Sequence, residues 1–352
     1  MTAKCRAVVF NGDGTYELRQ FDKPTPPPGG AVIKVEAVGM CSSDLEQIKG
    51  HKHVPGEVAP VVAGHEMVGR IEALASDARF PVAVGDRVAV DLILRTGLYH
   101  GKMLLYGYTM GLDVEGGLWG GYGEYMCIAP GTNLMKMTEA VPAEHVVIFE
   151  PLANAVNWVG IAGVKPGNSV VVQGPGHVGL MCVVAARAAG ASCVIATGTS
   201  SDSLRLEAAR KAGAHHIVNV DKEDVVQQVK EITNGWGANV VIDVTSMSTV
   251  AVQQAFELIM FGGTVLLAGL KNEAPSQIVT DKIVLNALTV RGGAGSTDPS
   301  MREAVRLLNE GQVPTEALLG EVLPLDRFDE ALLLLKRQHP KREAIRVTIK
   351  HC

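Results

Sequence analysis

The chain has 352 residues, 47% of them hydrophobic and 20% charged, which is more than one typical core holds and enough for two domains. A formal charge of -5 with no basic run excludes nucleic acid and anionic membrane as principal partners and leaves a small molecule. No bilayer-length or signal-like apolar run is present, and the six cysteines are scattered with no C-x-x-C pair, so a cytoplasmic, reducing setting is expected.

The segment before Glu150 is rich in strand-like runs, Ala31-Val38, Met67-Leu74 and Asp86-Asp91, separated by Gly and Pro without regular helix alternation. It reads as a mostly β domain. Three pieces of it carry chemistry: Gly39-Met40-Cys41-Ser42-Ser43-Asp44, Ala63-Gly64-His65-Glu66, and, at the domain boundary, Phe149-Glu150-Pro151-Leu152. Thiolate, imidazole and carboxylate together are what a tetrahedral Zn2+ with one open position uses. Each piece alone is ordinary, since a lone Cys is usually a small buried hydrophobe and a His-Glu pair is usually surface.

From Ser169 to Arg291 short β-branched runs alternate with helical patterns: Ser169-Val172, Cys193-Thr197, His216-Val220, Val240-Val244, Thr264-Ala268 and Ala287-Arg291. This alternation predicts a parallel, doubly wound sheet, giving an α/β fold. Gly174-Pro175-Gly176-His177-Val178-Gly179 follows the first of these strands and opens a helix whose apolar face is Val178, Met181, Cys182, Ala185, Ala186 and Ala189, stopped by Gly190. In that context the G-x-G-x-x-G turn predicts a dinucleotide: the first glycine makes the tight turn, the second admits the pyrophosphate, and the third lets helix and strand pack. Where NAD-binding chains place a carboxylate on the ribose, this one has Gly198-Thr199-Ser200, with Arg205 nearby as a counter-charge. That favours NADP slightly, while Asp202 in the same turn keeps NAD open. Two further helical patterns, Met301-Asn309 and Phe328-Arg337, lead to a last strand, Ala344-Ile349, expected to rejoin the first domain. The division expected is 1–153 with 300–352, and 154–299.

In their order and spacing, Gly39-x-Cys41-x-Ser43-Asp44, Gly64-His65-Glu66-x-x-Gly69, Val84-Gly85-Asp86-Arg87-Val88, Glu150-Pro151-Leu152-Ala153, the glycine turn and Ala212-Gly213-Ala214 resemble the zinc-dependent medium-chain alcohol and polyol dehydrogenases, in the sorbitol and threonine dehydrogenase branch. The resemblance implies a GroES-like catalytic domain beside a Rossmann domain, with substrate held against nicotinamide in the cleft between them. It implies Cys41 and His65 as zinc ligands, with Glu66 and Glu150 competing for the carboxylate role. It also implies Asp44 as the acceptor that orients the His65 ring, and Ser43 as the residue that touches the zinc-bound oxygen and carries the proton away. By position, Ala268-Gly269-Leu270 and Gly292-Gly293-Ala294 are expected to hold the carboxamide end of the nicotinamide.

The chain departs from the family in two places. The lobe after Asp91, which in many relatives binds a structural zinc through four cysteines, has none here. That zinc is expected to be absent, with Leu92, Ile93, Leu94, Met103, Leu104 and Leu105 packing the lobe instead. Glu46 stands where many relatives have a proton-passing histidine. It reads equally as a relay or hydroxyl-binding group and as a solvated charge, and His51 and His53 in the following loop are possible substitutes. Leu118 and Trp119 suggest an apolar pocket wall, and Glu46 suggests a hydroxylated substrate. The reaction implied is reversible hydride transfer between a secondary alcohol or polyol and its ketone by a homo-oligomer, a dimer or tetramer. The rivals are a zinc-free quinone or enoyl reductase, which has no use for the four metal-type residues together, and a non-enzymatic dinucleotide sensor.

Overall fold

The structure, a computed structural model, describes residues 3–52 and 54–351, so His53 lies outside the described residues. It divides into two compact units, the first comprising Met1–Phe149, Leu308–Glu310 and Leu319–Cys352, the second Glu150–Leu307 and Gly311–Leu318. Relative to the expected division at 153 and 300, most of the helix Asp298–Asn309 falls with the second unit.

In chain order the first unit supplies β1 (Lys4–Phe10), β2 (Tyr16–Asp22), β3 (Ala31–Gly39), β4 (Val61–Val62), β5 (Glu66–Leu74), β6 (Arg87–Val90), β7 (Tyr125–Ile128) and β8 (Leu134–Lys136). The second supplies β9 (Ser169–Gln173), β10 (Cys193–Gly198), β11 (His216–Asn219), β12 (Ala238–Asp243), β13 (Ile259–Leu267) and β14 (Thr289–Gly292), after which β15 (Glu321–Pro324) and β16 (Val347–Lys350) return to the first.

A three-stranded sheet β2-β1-β4 and a seven-stranded sheet β15-β16-β3-β5-β6-β8, with β7 on β3, enclose the first core. Phe10, Ile33, Met67, Ile71, Trp119, Tyr122 and Phe328 lie in it. As expected, the last strand closes on the first unit, β16 running antiparallel to β3 with Ile349 opposite Val38. The Gly85-Asp86-Arg87 motif is structural: Asp86 accepts from the Ala83 N–H at 2.8 Å, and buried Arg87 spans Glu36 and the carbonyls of Thr138 and Val141.

The lobe after Asp91 is held by packing and by the ion pair of Asp91 with Arg95. Leu92, Leu105 and Tyr108 form a small cluster with Val54 and Ile93, while Leu94 and Leu104 join the main core. The backbones of Leu92 and Leu94 pair with those of Tyr106 and Leu104, and fully buried Asp91 holds Arg95 at 2.7 Å. Met103, expected in this packing, is instead 40% exposed.

The second unit is a six-stranded parallel sheet in the order β11-β10-β9-β12-β13-β14, the doubly wound arrangement the alternation predicts. β13 begins at Ile259, five residues before the expected start, because Gly262 and Gly263 interrupt its apolar pattern without ending the strand. Among the described residues no helix is long and apolar enough to cross a membrane.

Candidate active site

Cys41 precedes the short helix Ser42–Ile48 as its N-cap, where its backbone N–H donates to Asp44 Oδ2 at 2.8 Å. His65 and Glu66 sit at the start of β5, which runs antiparallel to β3 so that Glu66 lies opposite Gly39, two residues before Cys41. The helix start and the strand start therefore bring one thiol, one imidazole and one carboxylate together. Ligand atoms of Cys41, His65 and Glu66 all lie within 4.8 Å of one another. This donor set suits Zn2+.

Asp44 is fully buried beside the three donors and caps the helix that carries Cys41. Its Oδ2 caps the helix at Cys41 and accepts from the Tyr122 hydroxyl at 2.6 Å, and its Oδ1 lies 3.5 Å from His65 Nδ1. The Tyr108 hydroxyl lies 3.1 Å from the same Nδ1. With Nδ1 engaged, Nε2 is the ring nitrogen left for a metal. Burial opposes a charge on the ring, but Tyr108, Asp44 and Cys41 together hold the His65 pKa well above the usual imidazole range. Burial, reinforced by Asp44, raises the Tyr122 pKa well above its ordinary value, so that hydroxyl stays a donor.

Glu66 is fully buried, its Oε2 paired with Arg346 and its Oε1 without a hydrogen-bond partner among the described residues. An orphaned carboxylate oxygen beside a thiol and an imidazole is where a cation offsets the cost of burial. Glu150 belongs to the second unit, in the first turn of the helix Phe149–Ala162, where its Oε1 accepts from Asn154 Nδ2 at 2.9 Å.

Ser43 is partly exposed, and its Oγ accepts from Tyr108 at 3.2 Å. Glu46 turns its carboxylate to Lys49 and to His51 Nδ1, each at 2.7 Å, and Lys49 followed by His51 lowers its pKa. Leu118 and Trp119 have no exposed surface: Trp119 stacks on Tyr106 with centroids 6.3 Å apart, so both are core residues and the expectation of an apolar pocket wall is corrected.

In the second unit Gly174 has φ +94°, which a side chain strains to adopt, and a Cβ on Gly179 would run into the Gly174 carbonyl. Gly176 caps the helix His177–Ala188, whose first N–H groups and dipole suit a pyrophosphate. Gly198 ends β10 under Pro175, whose Cγ would be 2.7 Å from a Cβ at that position. Asp202 Oδ2 accepts from the Thr199 N–H and hydroxyl at 3.1 and 2.7 Å, and its Oδ1 lies 3.7 Å from Arg205. The N–H of Ser200 donates to Asp221 at 2.7 Å, a carboxylate the sequence reading did not single out. After β13 the N–H groups of Ala268 and Gly269 both donate to the Asp243 carbonyl, leaving Leu270 largely exposed, and the Gly293 N–H donates to Leu267.

Tyr108, Tyr122 and Arg346 are the other residues sequence reasoning missed. The two tyrosines stand in a glycine-rich stretch with no spacing signal, and Arg346 is 280 positions from its partner.

Comparison with known proteins agrees with this geometry. Residues 27–139 match the alcohol dehydrogenase GroES-like domain and residues 178–310 the zinc-binding dehydrogenase domain. A probable alcohol dehydrogenase of Mycobacterium tuberculosis is 35% identical over 94% of both chains. An L-threonine 3-dehydrogenase of Pyrococcus horikoshii is 30% identical over 96% of this chain and 97% of its own. The crystal structure of 2R,3R-butanediol dehydrogenase from Bacillus subtilis superposes with a TM-score of 0.83 at 27% identity, covering 98% of this chain and 99% of its own. The chain belongs to the zinc-dependent medium-chain alcohol/polyol dehydrogenase family, enzymes that oxidise and reduce alcohols by hydride transfer.

Proposed function

We propose that this enzyme interconverts a secondary alcohol or polyol and its ketone, using one catalytic zinc and no structural zinc, with NADP as the favoured cofactor. The observation that carries the reading is the convergence of Cys41, His65 and Glu66 within 4.8 Å. These three would hold the ion, and Glu150 is proposed as a ligand on the family resemblance alone. When bound, zinc supplies a Lewis acid for the substrate oxygen and favours its alkoxide at neutral pH. The protein's part is to orient His65 through Asp44, to hold Asp44 in place through the Tyr122 hydroxyl, and to offer the Ser43 hydroxyl to the reacting oxygen. For Glu46, whose carboxylate faces Lys49 and His51, both expected readings stand as proposals: a relay or hydroxyl-binding group, and a solvated charge.

The NADP preference is carried by the sequence: a glycine, Gly198, where a ribose-binding carboxylate would stand, followed by the hydroxyl-bearing Thr199 and Ser200, with Arg205 in the same turn. Asp202 Oδ2 accepts the N–H and the hydroxyl of Thr199, and its Oδ1 faces Arg205, so carboxylate and cation partly offset one another in this turn. Asp221 supports the second reading, NAD, because its charge beside Ser200 repels a 2'-phosphate. Secondary alcohols, polyols and sugars assayed with each cofactor test both points. The expected result is a higher kcat/KM with NADP and about one zinc per chain. A higher kcat/KM with NAD overturns the cofactor preference, and full turnover without zinc overturns the mechanism.

The edge of the dinucleotide sheet supports the homo-oligomer. Among the described residues β14 has no partner on its outer side, all four of its residues are exposed, and Phe261, Val284 and Leu285 are 67%, 75% and 75% exposed. A parallel sheet edge with apolar neighbours invites pairing, and a second copy would cover it. Sedimentation is expected to show a dimer or larger species that Val290→Lys weakens. A wild-type monomer at micromolar concentration would refute this.

A further inference from the structure

We infer that Tyr108 is a positioning residue for the reaction, tying the Ser43 hydroxyl to the metal-facing histidine through one shared hydroxyl. The inference rests on the reading of Ser43 and His65 just given. Tyr108 Oη lies 3.2 Å from Ser43 Oγ and 3.1 Å from His65 Nδ1, and its ring is tilted 40° to the imidazole with centroids 5.2 Å apart. A neutral His65 that gives Nε2 to a metal carries its hydrogen on Nδ1, and that N–H can donate to the tyrosine oxygen. The phenol then donates its own hydrogen to Ser43, one lone pair of the serine oxygen is occupied, and the serine hydrogen is left for the reacting oxygen. A serine hydroxyl otherwise turns freely, so fixing its rotor is preorganisation of the kind that favours the charged oxygen of an alkoxide.

The surroundings hold Tyr108 firmly in this place. The Gln47 side chain, on the same helix as Ser43 and Asp44, donates to the Gly107 carbonyl at 2.7 Å. A Cβ at Gly107 would be 2.8 Å from the carbonyl oxygen of Gly64, so only glycine lets this loop lie against the turn that presents His65. The Tyr108 carbonyl accepts from Val58 at 2.9 Å, and its ring packs with Leu92 and Leu105. The loop thus locks the tyrosine to both elements it joins.

The test is a double-mutant cycle on Tyr108→Phe and Ser43→Ala in the zinc-loaded enzyme, with zinc affinity measured separately by chelator competition. Phenylalanine keeps the ring packing and removes only the hydroxyl. Tyr108→Phe alone is expected to lower kcat by about 10- to 100-fold, the range for groups that orient metal ligands and their neighbours. It should leave the cofactor KM unchanged. In the Ser43→Ala background it should cost almost nothing, because the residue it positions is gone. Zinc affinity is expected to stay close to wild type, since Asp44 Oδ1 at 3.5 Å can take the Nδ1 hydrogen. Equal losses in both backgrounds, or a fully active Tyr108→Phe beside a crippled Ser43→Ala, overturn the role of Tyr108 alone. A fully active Ser43→Ala overturns the underlying reading of Ser43 and the inference with it.

Discussion

Cys41→Ser is expected to abolish alcohol turnover while leaving dinucleotide binding intact. The sulfur is the one soft donor among the three converging groups, and a serine hydroxyl does not ionise at neutral pH to replace a thiolate on zinc. The fold should tolerate the change, because position 41 is a helix N-cap and serine is a preferred capping residue. Loss of a Lewis acid worth several kcal/mol corresponds to at least about 10³-fold in kcat. Zinc content should fall in parallel, while fluorescence titration with reduced cofactor should give an unchanged Kd, since the glycine turn lies in the other unit. Retained zinc with retained turnover in this variant would remove Cys41 from the site.

The second large effect is expected at Arg346. Its side chain and that of Glu66 are 3% and 1% exposed, and they form an ion pair deep in the first unit. Arg346→Met leaves the carboxylate buried and unpaired, a change that typically costs about 3–5 kcal/mol. The cost should depend on metal. If Glu66 is a ligand, bound zinc supplies the missing positive charge, so the loss seen by urea unfolding should be larger after chelator treatment than in the zinc-loaded protein. The double variant Glu66→Met with Arg346→Met should recover much of the stability in the metal-free protein, since replacing a whole buried pair by apolar groups is often close to neutral. An equal loss with and without chelator would show that the Glu66 carboxylate does not face the ion.

Much of the second unit was legible because its signals are local. A tight turn that only glycine adopts at φ +94°, a strand before it and an apolar helix face after it are properties of neighbouring residues, and Gly174 through Ala189 state them in order. The same holds for the stop at Gly190 and for the first half of the metal group, where Cys41 and Asp44 lie within one helical turn. The early start of β13 is not legible because Gly262 and Gly263 dilute the hydrophobic pattern; the strand carries them in an irregularity of its pairing, between Ile259 opposite Ala238 and Thr264 opposite Val240.

The amino-acid sequence by itself determined the class of chemistry: a dinucleotide turn, and donor types suited to zinc with family spacing. Only the tertiary structure decided how that chemistry is held. Tyr122 on Asp44, Tyr108 between Ser43 and His65, and Arg346 against Glu66 are contacts between residues 43 to 280 positions apart. It also decided that Leu118 and Trp119 are core and that Asp202 caps its own turn. The physical reason is the range of the forces. Turn geometry and helical periodicity act over a few residues, whereas burial leaves a polar group only the partners that the packed chain happens to bring beside it.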